Sequence, residues 1–317
     1  MQMNAKKYFL ILLAIFLVSC SSEKLAWEEH LYSADALSAQ AVISEELLSS
    51  HITVLSSDEF EGRKPATRGG KKTVKYLVNE FKKMGLSPGN PNGEWTQKVQ
   101  MLGVKSFVRT QFINDDERWA MKTGLDIIGN SYLKEKKINL EKVDLVFCGY
   151  GVYAPEYGWD DFKNIDIKGK VVVVLVNDPP IKNGNNYDSN MFKGSAMTYY
   201  GRWSYKYEEA LRRGAAGAIV IHETGPAGYP FSVLQSGHDS EHLTIENKNA
   251  LKFEGWIPID TAKRLFSMSG SSFSEMKKKA LSPDFEPLAL DVKFISRISN
   301  SFRKVSSENV IAKFEGN

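Results

Sequence analysis

The groups in this 317-residue sequence that could hold a metal, attack a carbonyl or carry a lipid are its histidines, cysteines and clustered carboxylates. There are five histidines. His238 and His242 form a His238-Asp239-x-x-His242 pair, a spacing of one helical turn at which two imidazoles can share a cation. A catalytic zinc needs a third protein ligand, and a carboxylate to take a proton from the bound water. The stretch around the pair is a Gly/Ser-bearing loop without such a ligand, so both residues read as solvated loop histidines. His222-Glu223 closes an apolar strand run, His51 falls on an amphipathic helix face, and His30 lies in a polar stretch near the N-terminus. His-x-Asp and His-Glu-x-x-His are both absent from the sequence. Asp58, Glu59 and Glu61 could gather a metal or a substrate, but acidic residues beside a helix end are more often solvated or paired, here with Arg63. Catalytic residues, metal ligands and cofactor-binding residues are therefore assigned to none of these positions.

The cysteines divide by context. Lys6 and Lys7 precede an apolar run over residues 8–18, followed by Leu17-Val18-Ser19-Cys20. Eleven apolar residues are too few to span about 30 Å of hydrocarbon as a helix, so the run reads as the core of a cleavable signal. The cysteine after small and aliphatic residues resembles a bacterial lipobox, which implies acylation of Cys20. The expectation is an exported protein, lipid-anchored to the cell envelope on its periplasmic or outer-membrane side. After Cys20 the one further cysteine is Cys148, so with Cys20 acylated two unmodified thiols are not present to form an intrachain disulfide. Set between Phe147 and Gly149 in a strand run, Cys148 should be a buried packing thiol.

These residues must be positioned by a folded body, and the composition describes one. The chain carries 41 basic and 38 acidic residues for a net charge of +3, with 42% apolar residues. A mean hydropathy of −0.31 suits an ordinary globular protein. So even a balance gives no reason to expect a nucleic-acid partner. Ser44 with Glu45 and Glu46 opens a helix carrying Leu47, Leu48, His51, Ile52 and Leu55 at helical spacing. Val74, Leu77, Val78, Phe81 and Met84 recur as the apolar face of a second helix that stops at Gly85. Residues 95–101 and 104–113 are strand candidates. Residues 143–149 and 170–176 are β-branched runs, the second continuous, as a strand covered on both faces requires. A helix over 204–213, a strand at 218–221, helices at 260–268 and 272–281, an alternating strand at 290–298 and a new strand from Asn309 complete the order. Strand–helix–strand succession predicts an α/β fold with part of its sheet parallel.

Three segments carry a family resemblance. The first is Leu55-Ser-Ser-Asp58 with Gly62-Arg63, then Gly69-Gly70 and the helix to Gly85-Leu86. The second is Gly149-Tyr-Gly151, Tyr157-Gly-Trp-Asp-Asp161, Ile167-Lys-Gly-Lys-Val171 and Arg213-Gly-Ala-Ala-Gly-Ala-Ile219. The third is Glu308-Asn-Val-Ile-Ala-Lys-Phe-Glu-Gly316. Their order resembles the M28 family of zinc metallopeptidases, in members that carry an inserted protease-associated (PA) domain. After the signal over 1–20 and a polar tether over 21–43, the resemblance implies a peptidase part over 44–113, a PA-like insertion over 114–290 and a return to the peptidase domain over 291–317. It further implies an aminopeptidase with two zinc ions and a peptide substrate. The family's ligands begin with His-x-Asp after the strand that Glu308–Gly316 resembles, so this chain is expected to bind no zinc and to be inactive alone. The alternatives are a non-catalytic binding lipoprotein built on the PA-like domain, and a fragment of a frameshifted gene.

Overall fold

In a computed structural model, described over residues 34–246 and 249–316, the chain is a mixed α/β protein. It divides into two compact units, Met1–Lys98 with Ser307–Asn317, and Val99–Ser306. The signal reading of residues 1–20, Cys20 itself, His30 and the tether as far as residue 33 lie outside the described residues.

In the first unit, helices α1 (Ala34–Ala41) and α2 (Glu45–Ser56) lead into a 3-10 turn at Asp58–Arg63 and then α3 (Arg68–Lys83). The expected tether thus ends early, since its last residues are already helical. Ser44 caps α2, its hydroxyl accepting from the Leu47 amide at 3.1 Å, and Thr67 caps α3 through Gly70. Gly69 lets the 3-10 turn lie against α3. A Cβ there would stand 1.9 Å from the Phe60 carbonyl oxygen, so only glycine fits. The short strands β1 (Ser87–Pro88) and, near the C-terminus, β15 (Ala312–Lys313) pair antiparallel.

The second unit is organised by one nine-stranded sheet. Its strands in chain order are β2 (Thr96–Ile113), β3 (Arg118–Ala120), β4 (Ile128–Asn130), β5 (Lys137–Phe147), β8 (Val171–Leu175), β11 (Gly217–His222), β12 (His242–Thr244), β13 (Phe253–Pro258) and β14 (Leu288–Val310). The pairs β6 (Tyr153–Ala154) with β7 (Trp159–Asp160), and β9 (Lys182–Asn183) with β10 (Asn186–Tyr187), form separate ribbons. The centre of the sheet is β5-β8-β11-β13, all parallel, with antiparallel β14 beside β5 and β4 beside β13.

Strand β8 shows why a continuous apolar run was required. Val171, Val173 and Leu175 enter one core while Val172 and Val174 enter the other. Helix α4 (Trp203–Arg212) supplies Tyr207 and Ala210 to the second core. After the short helices α5 (Thr224–Ala227) and α6 (Ser232–Gln235), helices α7 (Ile259–Met268) and α8 (Phe273–Lys279) supply Leu265, Phe266 and Phe273 to the first. With both faces covered, each fully buried valine contributes about 1.5–3 kcal/mol.

Several sequence expectations change. The candidates at 95–101 and 104–113 are one continuous strand, β2, because no turn residue combination interrupts them except Gly103, which stays in the ladder opposite Leu243. Asn309 does not open a strand. Asn309 and Val310 finish the 23-residue β14, whose other end shares a sheet with Val171–Leu175. Residues 99–113 and 291–306 accordingly cluster with the second unit, not with the segments at 44–98 and 307–317. The boundary at 113/114 coincides with the end of β2 and that at 290/291 falls inside β14, whereas the two units meet within these strands at 98/99 and 306/307. Asp260 lies in the first turn of α7, and Pro258 takes the cap position.

Candidate functional site

The carboxyl ends of parallel strands leave a crevice where connections part, the usual place for ligands on such sheets. Here the chain beyond β5, β8 and β11 surrounds a cleft of about 450 Å³. Tyr150 enters from the end of β5, Val176 to Pro180 from β8, Glu223 to Pro226 from β11, and Lys277 from α8. Residues 179–198 form a strap that carries the β9–β10 ribbon and brings Tyr187, Ser195 and Ala196 to the opposite wall.

The strap is fixed at its neck and its waist. At the neck, Asp178 accepts from the Thr198 amide at 2.6 Å and from the Thr198 hydroxyl at 2.9 Å. Asn177, held at φ 71°, donates to the Pro226 carbonyl at 2.8 Å and so ties the β8 end to the β11 end. At the waist, Phe192 is fully buried, its ring 4.7 Å from that of Tyr157 and 5.4 Å from that of Trp159. A cleft bounded this way has fixed walls.

Beneath the cleft lies a buried charge network. Lys206 of α4 is 2% exposed and donates to the Asn177 carbonyl at 3.1 Å. Burial pushes its ammonium down, while the fields of Asp178 and Asp161 hold it up. Burial likewise pushes Asp178 and Asp161 up, and their hydrogen bonds oppose the change. Asp161 accepts from the Val152 amide at 3.0 Å and from the Trp159 indole at 2.9 Å. The Trp159 and Asp161 positions of the Tyr157–Asp161 segment therefore organise the loop after β5. At the cleft edge, Glu223 and Lys277 form an ion pair, with side chains 12% and 35% exposed. Tyr150 is 3% exposed, and both burial and the charge of Glu223 raise its hydroxyl. Both oxygens of Asp178 are engaged, Lys206 is sealed off and Glu223 is paired, which suits binding better than proton transfer.

The residues weighed in the sequence go elsewhere. Glu59 pairs with Lys72 at 2.7 Å and Glu61 with Arg68, whereas Arg63, the expected partner, donates to the Leu55 carbonyl. His51 meets the Tyr76 hydroxyl at 2.6 Å. His238 sits on the Gln235 carbonyl at 2.7 Å, while His242 belongs to β12 with its ring edge-on to Tyr132. His222 is buried among Tyr229, Phe231 and Trp256, and burial lowers its basicity. Cys148 is fully buried, and burial pushes its thiol well up. Among the described residues no group of three or more His, Cys, Asp or Glu side chains is placed to hold a metal ion. The described residues do not fit a zinc centre.

Tyr150, Asp178, Lys206, Glu223 and Lys277 were missed by sequence reasoning. Two signals pointed to them: the Asn177-Asp178-Pro179-Pro180 break directly after a buried strand, and a lysine amid Tyr205, Tyr207 and Ala210 on a core-facing helix.

No family model matches the chain, and no curated protein matches it. Among solved structures, the aminopeptidase from Aneurinibacillus sp. strain AM-1 is similar at 16% identity with a TM-score of 0.36. The alignment covers 78% of this chain and 43% of that one, so the chain spans less than half the length of the structure it matches.

Proposed function

We propose that the chain is part of an exported, lipid-anchored metallopeptidase of the M28 kind, an aminopeptidase whose zinc ligands lie outside the described residues. The observation that supports this reading is a layout. The Asp58–Arg63 turn with its α3 helix and the Glu308–Gly316 segment are far apart in sequence, yet fall in one compact unit, while 99–306 forms another. An inserted domain leaves its host's two halves in that relation. The anchor on Cys20 belongs to the same proposal. A second reading, a binding lipoprotein, draws on the cleft, whose carboxylates are engaged in fixing its walls.

The test is expression of the whole gene beside the 317-residue chain. The whole-gene protein should contain zinc, hydrolyse leucyl-nitroanilide, lose that activity to a chelator, and enter detergent unless Cys20 is replaced by alanine. A whole-gene protein without chelator-sensitive hydrolysis hands the function to the binding reading.

A further inference from the structure

The cleft at the ends of β5, β8 and β11 offers both signs of charge along one lining. Glu223 and Lys277 face each other at its edge, and neither is used up by the pair. An ammonium has three donors and a carboxylate about four acceptor sites, so each can take a further partner while the pair stays intact. The Tyr150 hydroxyl also opens here. It lines the cleft from a side chain that is 3% exposed, and no hydrogen bond from a described residue acts on it. A hydroxyl that lines the cleft without an intramolecular acceptor is free to donate to a ligand.

Charge selects the ligand class. A simple anion at Lys277 would meet the repulsion of Glu223, and a simple cation at Glu223 would meet that of Lys277. A ligand carrying both charges a short distance apart satisfies both residues. Pro179, Pro180, Tyr187 and Pro226 supply an apolar wall, and the further carboxylate of the lining, Asp178, is engaged by Thr198. A volume of about 450 Å³ lies in the range of small-molecule sites.

We propose that this cleft binds a zwitterionic amino acid with an apolar side chain. Its ammonium rests on Glu223, its carboxylate on Lys277 and the Tyr150 hydroxyl, and its side chain against the proline wall. The proposal stands on the cleft alone, whether or not the protein is a peptidase, and it can be tested on the 317-residue chain.

The experiment is calorimetric titration with L-leucine, L-leucinamide and 4-methylpentanoate, which keep the side chain and remove one charge each. Leucine should bind, and each analogue should bind about tenfold more weakly or worse, as expected when a charged group is left unpaired. Lys277→Met should weaken leucine by about tenfold and abolish the preference for leucine over leucinamide. Tyr150→Phe should weaken leucine by roughly threefold to tenfold with no loss of thermal stability, because the hydroxyl has no intramolecular bond to lose. Absence of leucine binding overturns the proposal. So does equal binding of the three probes, or leucine binding that is unchanged in both variants.

Discussion

The two units of this chain reach order by different means. In Val99–Ser306 a sheet is covered on both faces, and rings such as Phe112, Phe147, Phe253 and Phe294 are completely buried. In the unit formed by the flanking segments, Phe60 is the one buried apolar side chain among the described residues, and Val42, Ile43, Leu48 and Ile52 lie open. That unit is held instead by local devices: two side-chain helix caps, a glycine contact, the Glu59–Lys72 and Glu61–Arg68 pairs, and the Asn90 side chain on the Thr96 carbonyl. Local devices set geometry but contribute little each, whereas burial sets stability. The difference teaches that a well-formed backbone and a self-sufficient core are separate achievements.

Substitutions can break that comparison, and the largest effect should come from the sheet core. Phe294 packs 4.9 Å from Phe253 and 5.7 Å from Phe112 by ring centroids. Phe294→Ala should lower the unfolding free energy by about 3–5 kcal/mol in urea titration. A loss below about 1 kcal/mol would mean the site collapses or the core is looser than described.

A smaller effect of opposite sign should come from Glu254 on β13. Burial pushes its carboxyl up to about 7 from the ordinary 4.5, with no cation among the causes to oppose it. A carboxyl raised in the folded state holds its proton more tightly there. The stability this gives is complete below the unfolded value and is lost as pH rises through about 7. Glu254→Gln, neutral at every pH, should flatten that decline and leave the protein about 2–3 kcal/mol more stable than its parent under alkaline conditions. Parallel stability–pH curves for the two proteins would contradict the assignment.

The smallest effect should come from the flanking unit. Leu48 on α2 is 53% exposed. Leu48→Ala should shift the midpoint of thermal unfolding within a change of about 0.5 kcal/mol. A cost comparable to that of Phe294→Ala would show that the α2 face is covered in solution.

Legibility in the sequence followed the same division. The buried strands β8 and β11, and α4 with its stop at Gly214, could be read because two covered faces demand unbroken apolar runs and a helix end demands a left-handed residue. The extents of β2 and β14 could not. The candidates at 95–101, 104–113 and 290–298 left out Leu102-Gly103 and residues 299–308, which carry β2 and β14 on without interruption. The cleft was hidden for another reason. Its floor is a lysine and two aspartates widely separated in the chain, and only the parallel order of β5, β8 and β11 gathers them. The Asp58–Glu61 carboxylates drew attention by adjacency and turned out to pair with α3.

Amide hydrogen exchange followed by mass spectrometry on the 317-residue protein tests the contrast most directly, since protection reports the free energy of local opening. Peptides from β8, β11 and β13 should exchange only with global unfolding, and peptides from α1 and α2 should exchange through far cheaper local opening. Equal protection of α2 and β11 would contradict the account, because it would require a core beneath α2 that the described residues do not supply.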